Sequence, residues 1–343
     1  MEPQERENNK KEEENNQIKS KNYLQNIKNK IIFKKIFDNL LHIKLLEIIK
    51  YNKTAQNKLY INLNNYKIYS EVIEIIPIKN ASGIFINIPK EDESFYHIFF
   101  DNIHTKEIKR QYLNENDKIA KIKIIIEYEV YYFNKLFNNC KCIESIIFKN
   151  FTRDNIIDMS EMFYGCSSLK EIHFNTFNTN NVTDMRYMFA WCSSLKELNV
   201  DNFNTNKVTD MSYMFQGCSS LKEINLNNFN TNNVTDMCWM FARCKNLENI
   251  SINNFITDNV TDMNNMFSGC TSLIELDINN FNTNNVTDMG NMFSGCTSLI
   301  ELDINNFNIN SETKVEYMFN GCKYELKEKI KQQNVNIKED AFY

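Results

Sequence analysis

The sequence predicts an α/β solenoid, in which stacked repeats present parallel strands on one face and short helices on the other. The first observation is the dipeptide Met-Phe, which recurs seven times at a constant step of 26 residues. The second is a cysteine four residues after the methionine of every copy. A fixed period of this length is typical of repeat architectures, because a single unit cannot bury its apolar face alone. The dipeptides begin at Met162, Met188, Met214, Met240, Met266, Met292 and Met318.

Each unit is predicted to contain a short helix. In one unit Met185, Met188 and Phe189 stand at i, i+3 and i+4, which is the spacing of one face of a helix. Asp184 precedes them, where a carboxylate favours the start of a helix through its oxygen and its negative charge. Helices are therefore expected to line one side of the stack.

A strand is predicted to follow the helix. Leu195, Leu198 and Val200 have the L-x-x-L-x-L spacing of a leucine-rich repeat, in which the last residues form a short strand. Phe203 is expected to point inward from the Asn-rich turn that comes next. Extending the register backwards places Leu136-Phe137 in a degenerate first unit.

The repeat motif V-T-D-M-x-x-M-F-x-G-C-x-S-L-x-x-L-x-L-x-x-F-x-T resembles that of the BspA-like leucine-rich-repeat family. This family occurs in bacterial surface proteins and is expanded in some protists. The resemblance covers about residues 130–322. It implies a curved solenoid used for adhesion or protein binding, and it carries over no catalytic residue.

The flanks of the repeats predict further segments. We expect a disordered charged tail over residues 1–21, a helical segment over 22–57 and a small β-rich domain over 58–122. The leucine-rich-repeat solenoid is expected over 123–322, with its first unit degenerate. Residues 323–343 are predicted to form a C-terminal cap, with a charged helix and a last strand at 335–337, because solenoids need polar ends.

Charge and composition narrow the classes of partner. The net charge of −5 gives no general attraction to nucleic acid. The charged N-terminus is not a secretory signal, and no apolar run has the length of a membrane span. The ten cysteines are therefore expected to be thiols in a reducing compartment. The sequence predicts a cytoplasmic monomer that binds a protein and has no cofactor, no nucleic-acid partner and no membrane span.

The outward residues of the predicted strands are the candidate ligand surface. Early units pair Lys with Glu, whereas late units place isoleucine beside carboxylates, which suits a protein ligand with basic and apolar groups. The alternative is a solvated surface copied by duplication of the repeats. Amide, hydroxyl and carboxylate side chains at the same strand positions, such as Asn199, Asp201 and Asn225, are also expected to be exposed. The candidate binding residues are Lys196, Glu197, Lys222, Glu223, Ile274, Glu275, Asp277, Ile300, Glu301 and Asp303.

Other columns of the repeat have both a structural and a functional interpretation. Tyr187, Tyr213 and Trp239 share one position and could stack as a ladder or form a binding stripe. The cysteine column fits buried thiols better than zinc, because no histidine repeats in register. The aspartate column, which includes Asp184, fits capping of the helices better than calcium binding.

Catalysis has little support in the sequence, and an enzyme would require a site within the β-rich region 58–122 that the sequence does not reveal. The four histidines lie in no Ser/His/Asp, H-E-x-x-H or Gly-rich phosphate-binding context. The prediction is a non-enzymatic protein-binding scaffold that uses the strand face. One alternative is an adaptor for a ubiquitin ligase, because the segment from Ile32 to Lys53 resembles an F-box. Another is a surface adhesion protein exported by a non-standard route.

Overall fold

The computed structural model describes residues 71–101, 107–127, 129–333 and 337–343. Residues Glu71–Tyr343 form one compact unit. The predicted tail over 1–21, the helical segment over 22–57 and the F-box-like segment lie outside the described residues. So do residues 58–70 and 102–106 of the β-rich region, and residues 335 and 336 of the last strand.

A five-stranded mixed sheet leads into the repeats. Strand β1 (Glu71–Pro77) pairs antiparallel with β5 (Ile122–Ile126) on one side and with β6 (Ile143–Lys149) on the other. Strand β3 (Tyr96–Phe100) is antiparallel to β5, and β7 (Glu171–His173) is parallel to β6. The order is β3-β5-β1-β6-β7. Since β6 and β7 belong to the first two repeat units, the preceding strands extend the strand side of the repeats.

Alternating isoleucines explain these strands. In β5 the residues Ile122, Ile124 and Ile126 are buried, whereas the residues between them are half-buried. Branched side chains on alternate positions give one strand face an apolar surface that packs on the core. The two-residue strands β2 (Gly83–Ile84) and β4 (Tyr112–Leu113) form a separate antiparallel pair.

A buried arginine joins this sheet to the first repeat unit. Arg153 is 2% exposed, and its Nε donates to Oε2 of Glu71 at the start of β1. Its guanidinium also donates to the carbonyl oxygens of Val130 at 3.1 Å and of Glu127 at 2.9 Å. A buried charge is tolerated only when it is paired and hydrogen-bonded, and Arg153 meets both conditions.

The repeat units stack in register, as the period predicts. All seven Met-Phe pairs are fully buried. The phenylalanine rings form one row, with 5.4 to 5.8 Å between the centroids of successive rings. Each unit therefore completes the apolar core of the next.

The predicted α/β solenoid with helices on one face is wrong. Tyr187, between the two methionines of its unit, has a left-handed φ of 57°, and a right-handed helix cannot contain such a residue. The equivalent residue is left-handed in every unit, from Lys135 to Tyr317. The segment is instead a run of turns. The α-helix that the described residues contain is α1 (Tyr324–Gln333), which follows the last cysteine.

Hydrogen bonds to the next unit hold these turns in place. The N–H groups of Tyr187 and Phe189 donate to the carbonyl oxygens of Ser212 at 3.0 Å and of Met214 at 2.9 Å. Between them, Met188 donates to Met185 of its own unit at 3.2 Å. Bonds within and between units alternate in this way along the stack. We call the segment from the aspartate to the cysteine of each unit the turn side.

The strand side, which contains β6 to β9, is paired only in part. Strand β8 (Glu223–Asn225) is parallel to β9 (Asn249–Ser251), as β7 is to β6. Among the described residues, no backbone hydrogen bond joins 196–199 to the unit on either side. The second half of the predicted fold, a continuous parallel sheet of leucine-rich repeats, is therefore also wrong. The strands form small separate sheets and single bridges, such as that between Glu275 and Glu301.

Another left-handed position contacts the following unit. Trp191 has a φ of 62° and lies over Gly217, whose φ is 71°. A Cβ atom on Gly217 would stand 2.7 Å from Cε3 of Trp191. The guanidinium of Arg243, two units beyond Trp191, lies 5.7 Å from the centroid of the Trp191 ring. Trp191 itself adopts this backbone, so the left-handed φ only favours glycine at 217, whereas the space that the indole occupies requires it.

The C-terminal segment covers the last unit. Helix α1 buries Leu326 and Ile330. The N–H of Phe319 donates to the carbonyl oxygen of Ala341 at 2.7 Å, and the ring of Phe342 stacks on that of Phe319 at 5.6 Å. Phe342 thus adds a final ring to the phenylalanine row. In the described part of the chain, no helix combines the length and apolarity that crossing a bilayer requires.

Candidate functional site

An open groove of about 430 Å³ lies on the strand side of three successive units. It extends over β8, β9 and the unpaired segment that precedes β8. We call it the strand groove. Its lining residues are Glu197, Leu198, Asn199, Asp201, Glu223, Ile224, Asn225, Asn227, Asn249 and Ser251.

The alternation of the chain places polar groups in the strand groove. Leu198 and Ile224 are 8% and 4% exposed and point toward the core, whereas Glu223 and Asn225, on either side of Ile224, are exposed. The two apolar side chains form the floor of the groove. The polar side chains surround this floor, and among them Asn199 and Asn225 each accept a backbone N–H two residues ahead through Oδ1.

The strand groove carries negative charge. Glu197, Asp201 and Glu223 supply three carboxylates, and none of the ten lining residues is basic. The other polar lining groups are four asparagine amides and one serine hydroxyl. Carboxylates accept hydrogen bonds, whereas amides and hydroxyls both donate and accept them. The groove is therefore suited to a ligand with cationic and amide-like groups.

The structure brings only two of the sequence-predicted site residues into the groove, Glu197 and Glu223. Lys196 and Lys222 are exposed immediately before them, outside the lining. The other predicted residues form a second patch in later units. There Ile274 and Ile300 are each 49% exposed.

The second patch is acidic and apolar. The N–H of Ile300 donates to the carbonyl oxygen of Ile274 at 3.1 Å, which places the two isoleucines on adjacent units. The backbones of Glu275 and Glu301 form an isolated parallel β-bridge, and the exposed residues Asp277 and Asp303 follow two positions later. The patch thus places isoleucine beside carboxylate on the strand side.

Sequence reasoning missed the position of the groove. Asp201, Asn227 and Asn249 stand at strand positions that the L-x-x-L-x-L spacing exposes in every unit. Nothing in the motif distinguishes these three units from the others. The repeat pattern therefore gives no signal for the place of the groove.

The aspartate column has a structural role in the turns. Oδ1 of Asp184 accepts the N–H of Arg186 at 3.0 Å, and the other aspartates of the column make the same bond two residues ahead. The predicted capping of helices is thus replaced by capping of turns. Burial raises the pKa of Asp184, the Arg186 charge opposes that shift, and the neighbours Asp158 and Asp210 add to it.

One group in this column has the ligand types of a metal site. Carboxylate oxygens of Asp236 and Asp262 and the sulfur of Cys238 lie within 4.8 Å of one another. Burial, with the charge of Asp236, raises the pKa of the Cys238 thiol. Only a thiolate binds metal well, and Asp236 already accepts the N–H of Cys238 at 2.8 Å. The turn geometry accounts for these residues without a cation.

The cysteine column is buried and hydrogen-bonded. All ten cysteines of the chain are free thiols and buried. Sγ of Cys192 donates to the carbonyl oxygen of Phe163 at 3.1 Å, and the equivalent bond recurs in successive units. Burial raises the pKa of Cys142 to about 11 and that of Cys166 to about 12. Protonated, buried thiols are poor nucleophiles, which agrees with their interpretation as small apolar residues.

The aromatic column forms the predicted ladder. The rings of Tyr187 and Tyr213 stack at 4.2 Å, and those of Tyr213 and Trp239 stack at 5.9 Å. Their planes are within 8° of parallel. Because the faces of the rings cover one another, the ladder stabilises the turn side and leaves little ring surface for a ligand.

The family described as "Mycoplasma protein of unknown function, DUF285" matches residues 131–248 and 219–334, which together are more than half of the chain. Searches of curated proteins and of solved structures gave no match. The two overlapping matches agree with a repeat protein, but they do not specifically indicate the BspA-like leucine-rich-repeat family. The chain belongs to the DUF285 family.

Proposed function

We propose that this chain is a non-enzymatic scaffold that binds another protein through the strand side of its repeats. The observation that carries the proposal is the strand groove, where ten residues from three successive units surround one open volume of about 430 Å³. A groove with an apolar floor and convergent polar groups has the chemistry of a binding site. The proposed partner is a protein of the cytoplasm.

The distribution of structural bonds supports this choice of surface. The turn side uses its backbone groups and aromatic rings to hold neighbouring units together. On the strand side, Glu197 and Glu223 are exposed and form no ion pair among the described residues. Exposed polar side chains that do not stabilise the stack are free to vary with the partner.

Crosslinking tests the proposal. A photoreactive amino acid at Asn225 in the groove should give discrete protein adducts in an extract of the cells that make the protein. The same amino acid at Glu312, which is exposed outside the groove, should not. Filling the groove with Asn227→Trp in the Asn225-labelled chain should abolish the adducts. Equal adducts from both positions, or adducts that persist with the groove filled, would remove the strand groove as the binding surface.

A further inference from the structure

The charge of the strand groove identifies the class of its partner. We infer that the groove binds a protein segment that carries lysine or arginine side chains. This inference rests on the proposed function, because it names the partner of the same surface. The observation behind it is the lining itself, in which Glu197, Asp201 and Glu223 are charged and no basic residue is present.

The arrangement of the three carboxylates favours a segment with more than one cation. Glu197 and Glu223 occupy the same position in adjacent units, whereas Asp201 stands four residues beyond Glu197. Two carboxylates are thus aligned along the stack, and the third lies farther along one unit. Several basic side chains from one extended segment can pair with the three carboxylates, while the asparagine amides meet its peptide groups.

The surroundings of the groove strengthen the negative field. In the described residues beyond β9, the strand positions of the next two units add Glu275, Asp277, Glu301 and Asp303, with no basic residue at the same positions. A row of like charges on one face attracts a partner of opposite charge and speeds its association. It also repels the phosphates of a nucleic acid.

Lys196 and Lys222 provide a check on the sign of the partner's charge. Both are exposed immediately before a groove carboxylate, but neither lines the groove. A basic segment is repelled by these lysines, whereas an acidic segment is attracted. Neutralising them therefore changes the affinity in opposite directions for the two kinds of partner.

The probe is a short fluorescent peptide of alternating lysine and serine, with a peptide of alternating glutamate and serine as its opposite-charge control. Fluorescence anisotropy of the full chain should detect the lysine peptide and not the glutamate peptide. The variant Glu197→Gln/Asp201→Asn/Glu223→Gln should weaken binding by about tenfold or more, because three partly exposed charge pairs are lost. Lys196→Gln/Lys222→Gln should raise the affinity, because it removes two charges that repel the lysine peptide.

A second triple variant controls for total charge. Glu115→Gln/Glu312→Gln/Glu325→Gln removes the same three charges from exposed positions outside the groove. It should change the affinity by less than about twofold, since screened charges at a distance contribute little. Circular dichroism establishes that each variant remains folded.

The outcomes separate the inference from the proposed function. Equal weakening by both triple variants, or weaker binding after the lysines are neutralised, overturns the inference. So does spermine, a non-protein polycation, if it binds more tightly than the lysine peptide with the same dependence on the groove. If the crosslinker at Asn225 gives adducts but the lysine peptide does not bind, the inference of a basic partner is wrong and the proposed protein-binding function is retained. Absence of both would remove the function itself.

Discussion

The turn side and the strand side of the repeats differ in how they are held together. On the turn side, backbone N–H groups donate to the following unit at every step, and rings stack from Tyr187 to Trp239. On the strand side, only some neighbouring units pair. The contrast teaches that the turn side maintains the stack, whereas the strand side can change its residues at little cost in stability.

The largest effect is expected when a ring is removed from the core of the turn side. Phe215→Ala leaves a cavity in the phenylalanine row, where the ring is fully buried between Phe189 and Phe241. We expect a loss of about 3–5 kcal/mol in the free energy of unfolding, measured by urea denaturation. The matched strand-side change Asn225→Ala should cost less than about 0.5 kcal/mol. Similar costs for the two variants would erase the distinction between the sides.

Gly217→Ala should have the next largest effect. The new methyl group meets the Trp191 ring, and alanine is strained at a φ of 71°. We expect a loss of about 1–3 kcal/mol by urea denaturation. In a Trp191→Ala background the steric part disappears, so the same glycine change should cost less there. An identical cost in both backgrounds would show that the contact with the indole is unimportant.

A buried hydroxyl tests the connection between units. Thr231 Oγ donates to the carbonyl oxygen of Ile256 and accepts its N–H, both at 2.8 Å. Thr231→Val leaves both backbone groups without this partner and should cost about 1–3 kcal/mol in thermal unfolding. Thr235→Val, whose hydroxyl makes one exposed bond at 3.2 Å to Thr209, should cost clearly less. A larger cost for Thr235→Val than for Thr231→Val would show that the buried Thr231 bonds are not what stabilises the connection between units.

The smallest effect concerns the aspartate column. The pKa of Asp184 is raised by burial and by its acidic neighbours, against the opposing charge of Arg186. Folding therefore favours the protonated form of this carboxyl. The stability that the protonated carboxyl contributes is lost as the pH rises through the raised pKa. Asp184→Asn, which keeps an oxygen for the turn, should stabilise the protein by about 0.5 kcal/mol at about pH 7 and by almost nothing at about pH 3. Thermal unfolding at the two pH values checks the sign, and destabilisation at the higher pH would contradict it.

The sequence predicts the stacking but not the backbone of each unit. The 26-residue period correctly places Met188, Phe189 and Cys192 in the core, because like positions stack on like. The spacing i, i+3, i+4 also fits a run of turns in which left-handed residues stand four apart, such as Tyr187 and Trp191. Apolar spacing says nothing about the sign of φ. The clues were the glycine at 217 and the asparagines at 265 and 291, residues that tolerate left-handed backbone.

The candidate site was predictable to a similar extent. The strand spacing predicts exposure of Glu197 and Glu223 because it predicts which side chains point outward. The spacing does not predict which neighbouring units pair their backbones. Near-identical motifs in successive units give no basis for expecting the gap at 196–199.

The ring of Phe342 has a consequence for assembly. It occupies the outer face of Phe319, and Ala341 accepts the N–H that Phe319 would otherwise present to solvent. Removing residues 339–343 would expose the outer face of the Phe319 ring and leave the Phe319 N–H without an acceptor. An apolar surface beside an unpaired backbone N–H can associate with another copy of the chain. Residues 339–343 therefore close this end of the stack to another copy of the chain.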